Sequence, residues 1–445
     1  MLSISLPFRA RACGRIHPMS TYKAIGTRSR FPGKYVIIAA LVGAASLALA
    51  GCEQDKPVAA PQPGGVIALA SPAGPGSAEP HLALDADGSL ILSWQTSDKE
   101  SGQASLDYAR LVDGNWSAPQ RVAQGDNWFV NWADFPSVEP MGDGRLTAHW
   151  LVKREGGPYA YDVWLSQSGD GSTWSEPFIA HNDGTASEHG FVSLFGWGDH
   201  AGAVWLDGRE TGGSSHDHEG HGAGGMTLRF GVFDEQGQAV QEGLVDELTC
   251  DCCPTDVARV GDSLVLAYRD RSEEEMRDIE VRRFDGNSWS DPLLVDDEHW
   301  HITGCPVNGP ALAANGEQVA IAWFSGATHT GQVKTAISRD GGRSFSAPII
   351  VDAEAALGRV DVAWLNDKDI AVSWIDRVGK GAALKAIRIT DGVSTGEAVS
   401  IAEVSKTRGS GVPQMVMMDG KLIFAWTQVD ESTRVDMAAL DNNSL

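Results

Sequence analysis

One short pattern, a hydrophobic strand that ends in an aromatic residue, recurs seven times along the chain. The aromatic residues follow one another at intervals of 51 to 63 residues, and they are Trp94, Trp150, Trp205, Tyr268, Trp323, Trp374 and Trp426. Repetition at a period of this size is typical of folds in which each repeat is one supersecondary unit that buries its faces against its neighbours.

Each repeat contains three further predicted strands. An innermost strand that ends in a tight turn comes first, as in PHLALDADGS at 80–89; YDVWLSQS at 161–168 illustrates the third strand and WSEPFIA at 174–180 the fourth. Four antiparallel strands per unit, with no long stretch of helical periodicity, predict an all-β fold, a β-propeller with seven four-stranded blades.

The last repeat stops after its third strand, RVDMAAL at 434–440, so its outer strand must come from elsewhere. The hydrophobic segment GVIALAS at 65–71 can supply that strand. An N-terminal strand that completes the last blade closes the ring. We therefore predict one propeller domain over residues 65–445.

The turn between the third and fourth strands carries a family resemblance. The octapeptide SRDGGRSF resembles the Asp-box (BNR) repeat of sialidases, S-x-D-x-G-x-[ST]-[FW], with Ser338, Asp340, Gly342 and Phe345 at the defining positions. In such a turn the Asp carboxylate accepts backbone N–H groups, Gly supplies a positive φ and the aromatic ring enters the blade. Its expected role is local folding rather than catalysis.

The sialidase resemblance implies a six-bladed propeller instead of seven blades. It also implies an exo-sialidase with an arginine triad, an Asp acid/base and a Tyr nucleophile paired with Glu. The sequence departs from that pattern, because no Phe-Arg-Ile-Pro motif precedes the first repeat and no tyrosine follows Tyr268. A sialidase-like glycosidase therefore remains an alternative, and the arginines that could line a channel and bind an anion are Arg269, Arg271, Arg359 and Arg377.

The N-terminal region predicts export and lipidation. An apolar run at 35–50 follows a positively charged region. Its last two residues begin the sequence Leu-Ala-Gly-Cys at 49–52. This pattern indicates a lipoprotein signal peptide over residues 1–51, cleavage before a lipidated Cys52, and a flexible tether that completes the segment 52–64. We expect a protein of the Gram-negative cell envelope, anchored by lipid at the periplasmic face of the outer membrane or at the cell surface.

The charge of the chain limits its partners. Residues 1–51 hold seven Lys and Arg and no acid, so the remainder carries 28 basic and 59 acidic residues, a net charge of −31. Such acidity makes nucleic acid an improbable partner and suits a soluble exported domain, which we expect to be monomeric. Met1 and Met19 are both compatible with translation start, and Met19 gives the charged region an ordinary length.

Four cysteines remain beyond the predicted anchor. Three lie in TCDCCP, directly before the innermost strand of the fourth blade, and the fourth lies in HITGCP, directly before that of the fifth. Loops that enter innermost strands of adjacent blades lie side by side, on the face opposite the Asp-box turns. We therefore expect one cluster at the channel mouth, consisting of Cys250, Cys252, Cys253, Cys305 and His301.

Other polar residues are predicted on the same face. His329 lies between the second and third strands of the fifth blade. The corresponding loop of the third blade contains HDHEGH, a His-rich sequence of the kind that binds metal ions. A charged run beside the cysteines could form an outer shell around the cluster. The residues in the His-rich loop are His216, His218 and His221, and those in the outer shell are Arg269, Asp270 and Arg271.

Three interpretations of the cysteines stay open. Two disulfides, for example Cys250 or Cys252 with Cys305, would rigidify the loops. Thiolates with imidazole would instead suit copper(I) or zinc, and a vicinal Cys252–Cys253 bond would be a redox device. The leading hypothesis is a lipid-anchored propeller that binds a soft metal, copper before zinc, without turnover. The alternatives are a sialidase-like hydrolase with a glycan ligand and an outer-membrane interaction scaffold with structural disulfides.

Overall fold

The computed structural model of this chain describes residues 65–98, 100–211 and 224–445. All the described residues belong to one compact unit, Val58–Leu445, and Met1–Pro57 lies outside the described residues. The predicted signal peptide and the lipidated Cys52 also lie outside them, as do the three histidines of the His-rich loop. Across the described residues, no helix has the length and apolar character needed to cross a membrane.

The described chain forms seven antiparallel sheets, which are the seven predicted blades. The first three blades run from β2 to β6, β7 to β10 and β11 to β14; β6 is an extra strand that pairs with the third strand of its blade. In chain order, the strands of this half are β1 (Ile67–Leu69), β2 (Ser77–Leu84), β3 (Leu90–Ser97), β4 (Ala104–Val112), β5 (Asn115–Trp116), β6 (Gln120–Gly125), β7 (Ser137–Gly142), β8 (Arg145–Lys153), β9 (Tyr161–Ser168), β10 (Phe178–Ile179), β11 (His189–Trp197), β12 (His200–Asp207), β13 (Met226–Phe233) and β14 (Ala239–Thr249).

The remaining blades run from β15 to β18, β19 to β22, β23 to β26 and β27 to β29. Two short 3₁₀ helices, Arg408–Ser410 and Asn442–Ser444, flank the last blade. The strands of this half are β15 (Asp256–Val260), β16 (Ser263–Arg269), β17 (Ile279–Phe284), β18 (Leu293–Leu294), β19 (Ala311–Asn315), β20 (Gln318–Ser325), β21 (Gln332–Ser338), β22 (Ile349–Asp352), β23 (Ala356–Trp364), β24 (Asp369–Val378), β25 (Gly381–Thr390), β26 (Val393–Val404), β27 (Gln414–Met418), β28 (Lys421–Val429) and β29 (Thr433–Asp441).

The ring is closed by the N-terminal strand. Each innermost strand contacts that of the next blade, and the series returns from β27 to β2. Strand β1 pairs antiparallel with β29, with Ile67 opposite Ala439 and Leu69 opposite Met437, so it forms the outer strand of the seventh blade. The predicted seven-bladed propeller with N-terminal closure is confirmed, and the six-bladed alternative is wrong.

The repeated aromatic residues explain how the blades hold together. Seven apolar clusters lie in the described residues, one between each pair of adjacent blades. Each cluster contains one of the seven aromatic side chains, which is contributed by the later blade of the pair and is at most 7% exposed. Large buried aromatic rings dominate such interfaces, so the sequence repeat marks the contacts that build the ring.

The predicted Asp-box turn has the expected local geometry. Asp340 Oδ1 accepts hydrogen bonds from the main-chain N–H groups of Arg343 and Ser344, both at 3.0 Å, and from the hydroxyl of Ser338 at 2.8 Å. The hydroxyl of Ser344, which donates to Asp340 Oδ2 at 2.6 Å, contributes most to the low pKa of Asp340, about 2, followed by the Ser338 hydroxyl and the two N–H groups. Gly342 has a φ of 79°, and the neighbouring Phe345 packs against the cluster between the fourth and fifth blades. The turn therefore stabilises its own hairpin.

Candidate functional site

The two cysteine-containing segments are the entry loops of adjacent blades. One leads into β15 and the other into β19. A disulfide joins Cys252 of the first loop to Cys305 of the second, with 6.1 Å between their Cα atoms. A second disulfide, between Cys250 and Cys253, closes within the first loop. The vicinal Cys252–Cys253 bond considered above is not formed.

The two disulfides differ in depth. Cys250 and Cys253 are 0% and 1% exposed, whereas Cys252 is half-buried and Cys305 is exposed. The sulfur atoms of the three cysteines in the first loop lie within 4.8 Å of one another. The arrangement is thus an inner and an outer disulfide in contact range, which we call the sulfur cluster.

Buried Arg269 anchors the loop that carries Cys305. Its guanidinium donates hydrogen bonds to the main-chain oxygens of Asn308 (3.0 Å), Arg277 (2.7 Å) and Phe324 (2.6 Å). Its Cζ lies 4.7 Å from the centre of the Trp300 ring, a cation–π contact. Burial lowers the pKa of Arg269 to about 10. All these partners belong to the fold, so Arg269 positions the entry loop instead of facing a ligand.

Two further arginines surround the first loop. Arg271 Nη1 lies 2.9 Å from each carboxylate oxygen of Asp251, inside the cysteine segment, and Arg271 Nη2 lies 2.6 Å from Glu275. Arg277 is 2% exposed, donates to Glu275 at 2.8 Å and reaches Cys250 Sγ with Nη1 at 3.5 Å. A buried cation therefore lies directly beside the inner disulfide.

Asp270 belongs to a different group of side chains. Its carboxylate lies with those of Asp246 and Glu280, within 4.8 Å of both, and burial raises the pKa of Asp270 to about 7. The hydroxyl of Tyr268 donates to Asp246 and Glu280, both at 2.8 Å. The three residues of the predicted outer shell therefore have three different sets of partners.

The histidines predicted to join the cysteines lie on the expected loops. His301 is exposed on the loop of Cys305, where its main chain forms a bridge with Met276. His329 is exposed between β20 and β21. In the described part of the chain, the sulfur cluster has no imidazole nitrogen within 4.8 Å of all three first-loop sulfurs.

A cavity of about 620 Å³ lies along the channel and is lined from all seven innermost strands. Burial raises the pKa of two of its acids, Asp256 and Asp361, to about 7. Each carboxylate accepts the main-chain N–H of the next blade at 2.6 Å, from Leu312 and Met415 respectively. These acids connect neighbouring blades, which accounts for their position without a substrate.

The arginines considered for an anion site are not gathered around the channel as a triad. Arg359 donates to the hydroxyl of Ser410 at 2.6 Å and lies 4.7 Å above the Trp132 ring. Burial, followed by the nearby Arg408, lowers the pKa of Arg359 to about 10. Arg377 is exposed, while Arg269 and Arg271 have the partners described above.

A tyrosine between two acids resembles glycosidase chemistry but is enclosed. The hydroxyl oxygen of Tyr161 lies 2.7 Å from Asp134 Oδ2 and 2.8 Å from Glu188 Oε1. Tyr161 is 0% exposed, and its ring stacks on Phe129 with 4.0 Å between centroids. Burial, together with both acids, raises the pKa of Tyr161 well above its ordinary value. A nucleophile needs access and a lowered pKa, so this group serves packing.

A second polar cluster lies in the entry loop of the third blade. Sequence reasoning places His189 at this entrance and suggests that it joins the polar residues of the face, but it missed the side chains around it. His181 and His189 stack there with 3.6 Å between ring centroids, among the carboxylates of Asp162, Asp183 and Asp207. We call these five residues the histidine–aspartate cluster. Single histidines eight residues apart form no recognisable metal motif, so only the repeat register could have drawn attention to them.

Comparisons with known proteins find structures with similar folds and assign no activity to this chain. No protein-family model matches the chain, and no curated protein does. Solved structures with similar folds include the sialidase of Trypanosoma rangeli (12% identity, TM-score 0.43, 75% of this chain and 57% of that one). They also include the α-L-arabinanase of Penicillium chrysogenum (11%, 0.44, 83% and 94%). A third is the β-propeller domain of the Trilobed protease from Pyrococcus furiosus (10%, 0.43, 82% and 95%).

Proposed function

We propose that this protein is a lipid-anchored envelope protein that binds copper(I) through Cys250, Cys252, Cys253 and Cys305 after their disulfides are reduced. The observation that carries the proposal is the gathering of four sulfurs from the entry loops of two adjacent blades. Thiolates are the ligands that a soft monovalent ion prefers, and four of them offer more than the two or three that copper(I) requires.

Loading requires a reductant, because a disulfide offers no thiolate. Each disulfide would take two electrons and two protons from an external dithiol, which becomes a disulfide itself, and would leave two thiols. Cys305 is exposed, so the outer disulfide is the one that a reductant reaches first. Ligation then removes the thiol protons, so copper binding releases protons to solvent.

The surroundings of the sulfur cluster favour negative charge on sulfur. The guanidinium of Arg277 is 3.5 Å from Cys250 Sγ and is excluded from water. A cation beside a thiolate stabilises the charged form, and in a buried site this interaction is weakly screened. Glu275 and Asp251 share the arginines, which moderates the effect and keeps the buried charges paired.

The envelope part of the proposal depends on the N-terminal pattern that ends at Cys52. The intact mass of protein extracted from membranes is expected to include a diacylglyceryl group on that residue. Cys52→Ala should release the protein from the membrane fraction. Unmodified protein in the soluble fraction would overturn the anchor while leaving the copper proposal to its own test.

Copper binding is tested by anaerobic titration of reduced and oxidised protein with copper(I) against a chromogenic chelator. To exclude the His-rich loop, the protein carries His216→Ala, His218→Ala and His221→Ala. We expect at least one copper(I) per reduced chain and none at comparable affinity in the oxidised chain. The matched variant, Cys252→Ser/Cys305→Ser, leaves the thiols of Cys250 and Cys253 after reduction and should bind copper(I) more weakly than the chain with four cysteines.

Two results would favour the alternatives. Folded, fully reduced protein that takes up no copper(I) would leave the cysteines as structural disulfides of an interaction scaffold. Turnover of a fluorogenic sialoside would support a glycoside hydrolase, although the hydroxyl of Tyr161 and its two carboxylates are enclosed.

A further inference from the structure

The histidine–aspartate cluster is built from two blades. Asp162 is the second residue of β9, and His181 follows β10, the outer strand of the same blade. His189 is the first residue of β11, Asp207 is the last residue of β12, and Asp183 lies in the connecting loop. All five side chains are therefore held by strand ends or by a short connection between blades.

The ligand atoms have separations suited to one bound ion. Of the proposed ligand atoms, His181 Nε2 lies 3.5 Å from Asp162 Oδ1. Two ligands of a tetrahedral zinc ion, each about 2.1 Å from the metal, are about 3.4 Å apart. The ligand atoms of Asp162, His181 and His189 all lie within 4.8 Å of one another.

The other ring nitrogens fix the tautomers. His189 Nδ1 lies 3.2 Å from the main-chain oxygens of Tyr161 and Ser187, which can only accept, so Nδ1 carries the proton. His181 Nδ1 lies 2.7 Å from Asp183. A carboxylate oxygen accepts this contact, so His181 Nδ1 also carries a proton. In the neutral form of each imidazole, Nε2 is therefore the nitrogen with the lone pair.

Those two lone pairs have no hydrogen-bond partner. His181 and His189 are 7% and 0% exposed, and the Nε2 atom of each is buried without a hydrogen bond. A buried unpaired polar atom costs about 1–3 kcal/mol. Here each lone pair also faces a carboxylate oxygen 3.2–3.5 Å away, an arrangement that is repulsive unless a proton or a metal ion lies between them.

The net charge of the histidine–aspartate cluster also favours a bound cation. Among the described residues, the cluster contains three carboxylates, and two guanidinium groups pair with them. Arg209 binds Asp207 through two hydrogen bonds of 2.7 Å, and Arg154 lies 3.0 Å from Asp162. With both imidazoles neutral, the group retains one uncompensated negative charge.

From these contacts we infer that the histidine–aspartate cluster is a zinc site, independent of the sulfur cluster, with His181 Nε2, His189 Nε2 and Asp162 Oδ1 as ligands. Asp183 acts as a positioning residue that orients His181, which is the usual carboxylate–histidine–zinc arrangement. Asp207 is held by Arg209 and completes the negative surroundings. Two imidazoles and one carboxylate leave a fourth position for water or an incoming ligand.

The test uses oxidised full-length protein, so that no thiolate competes, in the background without the three histidines of the His-rich loop. We expect one zinc ion per chain by equilibrium dialysis and elemental analysis. Cobalt(II) in its place should give the strong visible bands of a four-coordinate site without thiolate-to-cobalt charge transfer. Absence of stoichiometric zinc and of these bands would overturn the inference. This test uses no ligand variant, so a misfolded variant cannot explain a negative result.

Variants then assign the ligands. His181→Gln should lower zinc affinity by at least about 100-fold, and Asp183→Asn by about 10–100-fold. His200→Gln, on the opposite turn of the same blade, should bind zinc as the parent does. Zinc binding by folded His181→Gln at the parental affinity would contradict the assignment. Because the copper test uses the reduced protein and the cysteines, either proposal can fail while the other stands.

Discussion

The sulfur cluster and the histidine–aspartate cluster lie in entry loops on the same face of the propeller, yet they differ in what they need. In the sulfur cluster no sulfur atom needs a further partner, because each one is bonded to another in a disulfide. The histidine–aspartate cluster leaves two buried nitrogen lone pairs facing carboxylates. The comparison teaches that the presence of cysteine or histidine alone is a poor guide to whether a site binds a metal ion. A buried polar atom without a hydrogen-bond partner is a better guide.

The largest expected effect separates the two disulfides within the sulfur cluster. Cys252→Ser/Cys305→Ser opens a bond that spans 53 residues, and loop-closure entropy predicts a loss of about 4 kcal/mol in the free energy of unfolding. Cys250→Ser/Cys253→Ser opens a bond that spans 3 residues and should cost about 2 kcal/mol by the same estimate. Urea unfolding of both variants measures the difference, and a reversed order would contradict the entropic account.

Zinc should stabilise the oxidised protein through the histidine–aspartate cluster alone. At a free zinc concentration 100 times the dissociation constant, binding to the folded state raises the free energy of unfolding by about 2.7 kcal/mol. Thermal unfolding with zinc and with a chelator tests this. His181→Gln should abolish the zinc-dependent shift, whereas Cys252→Ser/Cys305→Ser should keep it. Equal shifts in both variants would place the zinc elsewhere.

Arg277 should affect only the sulfur cluster. Arg277→Gln removes the cation beside Cys250 and is expected to weaken copper(I) binding by the reduced protein about tenfold, as loss of an outer partner commonly does. Arg277→Lys keeps the charge and should recover part of that affinity. Chelator competition gives both values, and unchanged affinity in Arg277→Gln would remove the proposed electrostatic role.

The smallest effect concerns pH. Burial opposes protonation of His189, but Asp183 and Asp207 outweigh it and raise the pKa of this imidazole above 6.5. Zinc must displace that proton once the pH falls below the raised pKa, so affinity should decline by no more than about tenfold per pH unit. The charged groups that face His189 and set this balance are Asp162, His181, Asp183, Asp207 and Arg209. A zinc affinity that rises on acidification would contradict the proposed role of His189 as a ligand.

Most of the fold could be predicted because its determinants are local and repeated. Alternation of apolar residues gives the strands, and the aromatic residue of each second strand, such as Trp323 at 0% exposure, marks a contact between blades. The closing strand was predictable because the seventh repeat lacks an outer strand and residues 65–71 match it. Neither step depends on contacts between distant side chains.

The sites were only partly predictable. Propeller topology places the loops of Cys252 and Cys305 together, but which sulfurs pair depends on Cα separations that no spacing encodes. The histidine–aspartate cluster depends on the pairing of His189 with Asp207 and on Asp162 in the preceding blade. Such contacts across blades arise from the three-dimensional packing, so the sequence did not show which side chains surround His189.

Native mass spectrometry of one preparation, held in its oxidised and reduced states and offered zinc and copper(I), tests the central claim most directly. The protein lacks the three histidines of the His-rich loop. We predict that the oxidised chain carries one zinc and no copper, and that the reduced chain gains copper(I). Reduced, folded protein that takes up no copper, or oxidised protein that takes up as much copper as the reduced form, would contradict the account.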